Sequence, residues 1–291
     1  MMEINSRNGL RIIGMRHSER LDHVYPSWFK DLKNSSDYET FDANMPFEIP
    51  NRDNMCDFEE DTVLTLFGTF LAQLTGKGLG LCGSTPDYIY CSPALRSIQT
   101  AIGVLDGSGS GAKIKIEPGL FENCTLYQNK RIPTFMSLDE LSNAGFTDVD
   151  YEYKHNWDLD DLFPIERKEN DYIKRFNETV SFIQKEHSGE DAVILLVGHA
   201  STVDLLLNYY YEREKPYEEK YLLKIGEYIP YCSTIGFDQQ KTNKKNFVIN
   251  TNASMPYTKY NFTTQYDYSF VYRDIKELRH LIPSTKSKQY N

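Results

Sequence analysis

Apolar residues in this chain gather into short runs, separated by stretches with helical spacing. Leu10 to Met15 (LRIIGM) is an isoleucine-bearing run that predicts a buried strand. Tyr88 to Cys91 and Ile114 to Glu117 predict two further strands, and Ala192 to Gly198 (AVILLVG) predicts the best-defined one. Ser233 to Asp238 and Asn246 to Asn250 read as closing strands. Asp61 to Thr75 carries apolar residues at helical spacing, with Asp61 or Thr62 as its cap. Ser92-Pro93 opens a helix over Pro93 to about Leu105, with serine at the cap and proline at the first helical position. A short helix is predicted near Ser137 to Asn143, an amphipathic one over Tyr172 to Glu186, and another over Ser201 to Tyr210. Strands alternating with helices predict an α/β fold: a three-layer α/β/α arrangement around a mostly parallel sheet.

Two segments break this rhythm. Ser18 to about Asp61 is polar, aromatic and irregular, and reads as a long insertion that can cover a site. Gly119 to Asp171 is loop-rich. No repeat occurs, and no linker demands two independent units, so residues 1–291 read as one domain with insertions at about 21–60 and 123–170. Gly78 to Gly83 spells G-x-G-x-x-G, but a helix precedes it and a strand follows, the reverse of the order a dinucleotide site needs. Asp106 to Gly111 (DGSGSG) reads as a flexible turn. The glycines from Gly107 on lack the G-K-[ST] ending of a phosphate loop.

Composition narrows the classes. The net charge is -10, from 42 acidic and 32 basic residues, which argues against general nucleic-acid binding. It leaves room for a small anion in a locally cationic pocket. The five cysteines are widely spaced and form no C-x-x-C, so neither a disulfide framework nor a zinc ribbon is expected. Reduced thiols and a cytoplasmic location are expected instead. The N-terminal string MMEINSRNGLRIIGMRH lacks the apolar run of a signal peptide, and no stretch approaches a transmembrane span, so no membrane partner is expected. The N-x-S/T triplets at Asn177 and Asn261 read as chance matches.

The candidate chemistry sits directly after three predicted strands. Arg16-His17-Ser18-Glu19-Arg20 follows the first, Ser92-Pro93-Ala94-Leu95-Arg96 follows the Tyr88 strand, and Gly198-His199-Ala200-Ser201 follows the Ala192 strand. In an open parallel sheet the carboxyl ends of strands share one edge, where ligands bind. Adjacent strands would therefore gather two histidines and three arginines. Guanidinium groups match a phosphoryl group with paired hydrogen bonds. A neutral imidazole can attack phosphorus if its other ring nitrogen donates to a backbone carbonyl. Glu122 follows the Ile114 strand and is a candidate proton donor to the leaving oxygen, which requires a raised pKa in the substrate complex. Each residue alone has a plainer reading, as a surface ion pair or a structural carboxylate. His23, His155, His187 and His280 are read as capped or exposed.

These motifs resemble the histidine phosphatase superfamily, whose fold is phosphoglycerate-mutase-like. The resemblance covers roughly Leu10 to Asp238. It implies that His17, Glu122 and His199 are catalytic, that Arg16, Arg20 and Arg96 bind substrate, and that no metal or other cofactor is needed. The strings RHSERLDHVYPSWF, DYIYCSPALRSIQTA, IEPGLFE and VGHAS are most similar to the Sts/TULA phosphatase domains and the insect ecdysteroid-phosphate phosphatases. That branch implies a phosphatase acting on phosphotyrosine or small phosphate esters, with a homodimer as its assembly. Ser18 stands where the superfamily usually has glycine, and would add a hydroxyl near the phosphate. Asn123 stands where the branch tends to have tryptophan, which bears on leaving-group preference. Two other readings stay open: a mutase that returns the phosphoryl group to its substrate, and a phosphate-binding pseudoenzyme scaffold. Substrate choice is expected to lie in the two insertions, whose aromatics (Tyr25, Trp28, Phe29, Tyr127, Phe135) either stack on a substrate or pack, packing being favoured. The stretch from Gln239 to Asn291 is expected to complete the fold or to mediate dimerisation.

Overall fold

Strand alternation divides the interior into two cores. In the computed structural model, Ile12, Ile194 and Leu196 point to one face of the sheet, and Ile13, Met15, Val193, Leu195 and Val197 to the other. Both faces are apolar, so both must be covered by helices. The structure describes residues 9–35, 38–127, 132–166, 168–211, 221–240, 246–259 and 262–263. His280, Asn261 and the stretch beyond residue 263 lie outside them.

The elements run β1 (Arg11–Arg16), α1 (Leu21–Val24), α2 (Trp28–Ser35), α3 (Leu66–Leu81), β2 (Tyr88–Cys91), α4 (Leu95–Ser108) and β3 (Ile114–Ile116). Then come α5 (Leu138–Asn143), α6 (Leu159–Ile165), α7 (Glu169–Glu186), β4 (Val193–Gly198), α8 (Ala200–Tyr210) and α9 (Tyr221–Lys224). The last are β5 (Thr234–Gln239), β6 (Phe247–Ile249), β7 (Thr258–Lys259) and β8 (Phe262–Thr263). Six strands form the main sheet in the order β3-β2-β4-β1-β5-β6. The pairs β3–β2, β2–β4 and β4–β1 are parallel, and β5 is antiparallel to both β1 and β6. Leu79, Ile98, Ala101 and Val104 of α3 and α4 cover one face. Tyr172, Phe176, Val180, Val203 and Leu206 of α7 and α8 cover the other. This is the expected α/β/α sandwich with a mostly parallel sheet.

Several local expectations are corrected. The helix expected over Asp61 to Thr75 begins instead at Leu66, where the Thr65 side chain accepts from Gly68 N–H. Asp61 lies outside it, buried against Arg52 at 3.0 Å, and accepts Leu95 N–H at 2.8 Å. Ser92 is not the cap of α4; Ala94 occupies that position. The glycine-rich string from Gly76 serves helix packing. A Cβ on Gly76 would sit 2.3 Å from the Val104 carbonyl, and one on Gly107 1.9 Å from the Gln73 carbonyl, so α3 and α4 touch backbone to backbone. The run DGSGSG is not all turn: α4 continues to Ser108 and ends at Gly109 with φ +67°. The insertion after β1 contains α1, α2 and a 3-10 turn at Met55–Glu59, and Trp28 packs against Phe29 and Phe58. Past Gln239, β6 and the buried Ala253 against Gly236 complete the fold.

Candidate active site

Strand register brings the three motifs together. Arg16 pairs with Gly198 across β1–β4, and Cys91 with Val197 across β2–β4, so His17, Ser92 and His199 leave the sheet at the same edge. His17 N–H donates to the Gly198 carbonyl at 2.7 Å, which locks the first motif to the third. The two imidazoles meet edge-on, with ring centroids 5.4 Å apart.

His17 is 3% exposed, and its Nδ1 lies 2.8 Å from the Ser18 carbonyl. A carbonyl can only accept, so Nδ1 carries the proton and Nε2 keeps its lone pair. Burial holds the ring well below its ordinary pKa, and Arg96, Arg16, His199 and Arg20 push the same way. The ring is thus held neutral, with the Nε2 lone pair available. The Ser18 hydroxyl does not face the phosphate side as expected: it donates to the Gly68 carbonyl at 2.6 Å, while Ser18 N–H donates to Thr100 Oγ1 at 2.9 Å.

His199 is fixed through Ser92, whose hydroxyl lies 2.9 Å from Nε2. Its Nδ1 faces Arg96 Nη2 at 3.4 Å and Glu122 Oε2 at 3.7 Å. Burial lowers His199 to about 3, against the opposing pull of Glu122. Glu122 also binds Arg96 Nη2 at 2.5 Å and accepts the Tyr127 hydroxyl at 2.8 Å. Burial alone would raise this carboxyl; His199, Arg96, Arg20 and Tyr127 outweigh it and hold it at about 2. Without a phosphoryl group the pocket therefore keeps Glu122 ionised, the opposite of what proton donation needs.

The three arginines differ. Arg96 is fully buried, and its Nε and Nη1 have no partner among the described residues. Arg20 forms a two-pronged pair with Asp22, at 2.9 and 2.5 Å. Arg16 donates to the carbonyls of Gly226 (2.9 Å) and Ile229, and its Nε has no partner among the described residues. The Arg16 guanidinium lies 4.2 Å from the Tyr231 ring centre, and burial lowers its pKa to about 10. Fully buried donors without partners are costly, and they suit a site that an anion completes. Among the described residues, no group of three or more His, Cys, Asp and Glu is placed to hold a metal ion.

A family model described as "Histidine phosphatase superfamily (branch 1)" matches residues 49–228, a span that contains Arg96, Glu122 and His199. The chain belongs to the histidine phosphatase superfamily. It is 31% identical over 228 residues to the ecdysteroid-phosphate phosphatase of Bombyx mori, covering 76% of this chain and 34% of that protein. It is 34% identical over 198 residues to human ubiquitin-associated and SH3 domain-containing protein A, covering 66% of this chain and 30% of that protein. The chain thus spans about a third of the length of the curated relatives it matches. A crystal structure of the ecdysone phosphate phosphatase from Bombyx mori in complex with tungstate superposes with a TM-score of 0.74 at 29% identity, covering 90% of this chain and 99% of that one. The phosphoglycerate-mutase-like fold expected from the motifs is the fold of this superfamily.

Sequence reasoning missed four residues around the site. Ser92 reads in the sequence as a helix cap, and its partner lies 107 positions away. Tyr231 lies 5.6 Å from the His17 ring and bonds His23 Nδ1 at 2.5 Å, in a stretch with no motif to betray it. Tyr127 was counted only as an insertion aromatic. Arg175 sat unnoticed within an amphipathic helix. His187, expected to be capped or exposed, is buried and bonded to Tyr90 at 2.9 Å. Asn123 is buried too, its Oδ1 accepting from Thr125 N–H and hydroxyl. No described helix is long and apolar enough to cross a membrane.

Proposed function

We propose that the chain is a metal-independent phosphomonoesterase that works through a phosphohistidine on His17. The observation that carries this reading is the His17 tautomer: Nδ1 is committed to the Ser18 carbonyl, so Nε2 is the nucleophile beside the unpartnered donors of Arg96. Arg16, Arg20, Arg96 and His199 hold the three phosphoryl oxygens. The Nε2 lone pair attacks phosphorus as the bond to the ester oxygen breaks, and Glu122 gives that oxygen its proton. Water then attacks phosphorus, the P–N bond breaks, Glu122 takes the water's proton, and inorganic phosphate leaves with imidazole restored.

The proton on Glu122 arrives with the substrate. A phosphate monoester loses its second proton at about pH 6, so at and below that pH the abundant monoanion enters with one proton still bound. The phosphoryl charge offsets the cations that hold Glu122 near 2, and the carboxyl becomes the better base. Phosphotyrosine and small phosphate esters are the substrate classes this reading favours, because aromatic side chains stand beside the three central groups: Tyr127 at Glu122, Tyr231 at His17 and Phe121 at His199. A cytoplasmic location and a homodimer accompany the reading; light scattering tests the dimer.

The test is turnover of p-nitrophenyl phosphate with excess chelator. Activity that persists with chelator and vanishes in His17→Ala supports the proposal, and an acid-labile phosphorylated intermediate in wild type strengthens it. Full activity in His17→Ala ends it. Labelled phosphate recovered as an isomerised ester in place of free phosphate would favour a mutase. A panel of phosphotyrosine peptides, phosphoserine peptides, steroid phosphates and sugar phosphates then sorts the substrate classes.

A further inference from the structure

Glu122 lies on a loop with little structure of its own. The 3-10 turn Pro118–Leu120 closes through Leu120 N–H to the Glu117 carbonyl and Phe121 N–H to the Pro118 carbonyl, and the loop then runs through Phe121 to Asn123 before the turn at Cys124–Tyr127. One guanidinium reaches across it. Arg175 on α7 is 2% exposed; its Nη1 donates to the carbonyls of Gly119 (2.8 Å) and Phe121 (2.9 Å), and its Nη2 to that of Glu122 itself (3.1 Å). The remaining side of the guanidinium is taken by Glu166, through Nε at 2.8 Å and Nη2 at 2.7 Å. The other Glu166 oxygen accepts Cys124 N–H at 2.5 Å. The backbone is therefore gripped on both sides of Glu122 by a single buried ion pair.

We propose that Arg175 and Glu166 are positioning residues that aim the Glu122 carboxyl at the leaving oxygen. This rests on the reading of Glu122 as the proton donor. The geometry explains why one edge of a buried guanidinium is spent on main-chain carbonyls: an ordinary helix–loop contact needs apolar packing, whereas this one sets the height of one side chain above the sheet edge. Tyr172 braces the clamp from below, its ring centre 4.8 Å from the Arg175 guanidinium and its hydroxyl 2.6 Å from Ser201 Oγ, which follows the His199 turn. Acid and phosphate-binding histidine are thus referenced to the same support. The loss of aim matters steeply, since a shift of about 1 Å at a reacting group can cost ~10²-fold in rate.

The consequence is a dependence on leaving group. An ester of an acidic phenol, such as 2,4-dinitrophenyl phosphate, departs without a proton; phenyl phosphate needs one. In Glu122→Gln the ratio of kcat/KM for phenyl phosphate over dinitrophenyl phosphate is expected to fall by about 10²-fold or more, the scale of general-acid catalysis. In Arg175→Lys and in Glu166→Gln the same ratio is expected to fall about tenfold, within what misplacement of a catalytic group costs. A smaller folded fraction lowers both rates equally and cancels from the ratio, so partial unfolding does not imitate the result. Adding Arg175→Lys to Glu122→Gln should lower the ratio no further. An unchanged ratio in both clamp variants, beside a fall in Glu122→Gln, overturns the clamp alone. An unchanged ratio in Glu122→Gln overturns the proton-donor reading, and the clamp with it.

Discussion

Arg96 and Arg175 are both buried, both pair with a glutamate, and serve opposite ends. Arg175 spends all three nitrogens on the protein, on Glu166 and on loop carbonyls. Arg96 binds Glu122 through Nη2, and its buried Nε and Nη1 have no partner among the described residues. A protein seldom leaves such donors unpaired, because each costs about 1–3 kcal/mol. The first arginine is committed to the loop; the second keeps two donors for the phosphoryl group of the proposed reaction. Burial and charge alone, without a count of donors, would not separate the two.

Substitution separates them most sharply. Arg175→Met leaves Glu166 buried and uncompensated, so a loss of about 3–5 kcal/mol in chemical denaturation is expected. If Arg175→Met denatures at the wild-type midpoint, the contrast collapses. Arg96→Met is expected to lower kcat/KM on p-nitrophenyl phosphate by about 10²–10³-fold, the scale of losing a transition-state donor. Its denaturation midpoint should move less than that of Arg175→Met.

Anion binding sharpens the same contrast. Tungstate at 100-fold its dissociation constant should add about 2.7 kcal/mol to the stability of the wild type. The gain should vanish in Arg96→Met and persist in Arg20→Lys at reduced affinity, both read as the shift in melting temperature. Equal gains in wild type and Arg96→Met would show that the unpaired donors are not where the anion sits.

The pocket also pays for its cations as pH falls. Unfolded, His199 takes up a proton near its ordinary 6.5; folded, it does so only near about 3. Glu122 is depressed from 4.5 to about 2. In both windows the unfolded state binds more protons, so stability present at neutral pH is lost as pH falls from 6.5 toward 2. A melting-temperature series should show this decline, shallower in His199→Gln. The smallest effect belongs to Ser18→Ala, which removes one hydrogen bond to the Gly68 carbonyl and should cost about 0.5–1.5 kcal/mol while leaving KM for phosphate esters unaltered.

Much of this was written in the chain. Apolar runs in 10–15, 88–91 and 192–198 demanded buried strands, and residues just past buried strands in a parallel sheet must share an edge; hence His17, Arg96 and His199 were legible. Spacing could not assign the hydroxyls of Ser92 and Ser18. Ser92 reads as a helix cap and Ser18 as a hydroxyl near the phosphate, and each found its partner across the fold, at His199 and Gly68. The protonation of Glu122 was equally out of reach. A carboxyl's pKa is set by the charges around it in space, and His199, Arg96 and Arg20 come from three distant segments. Chemical identity and the succession of elements along the chain are properties of the one-dimensional string. Hydrogen-bond partners and electrostatic fields depend on distances of a few ångströms, which exist only once the chain has folded.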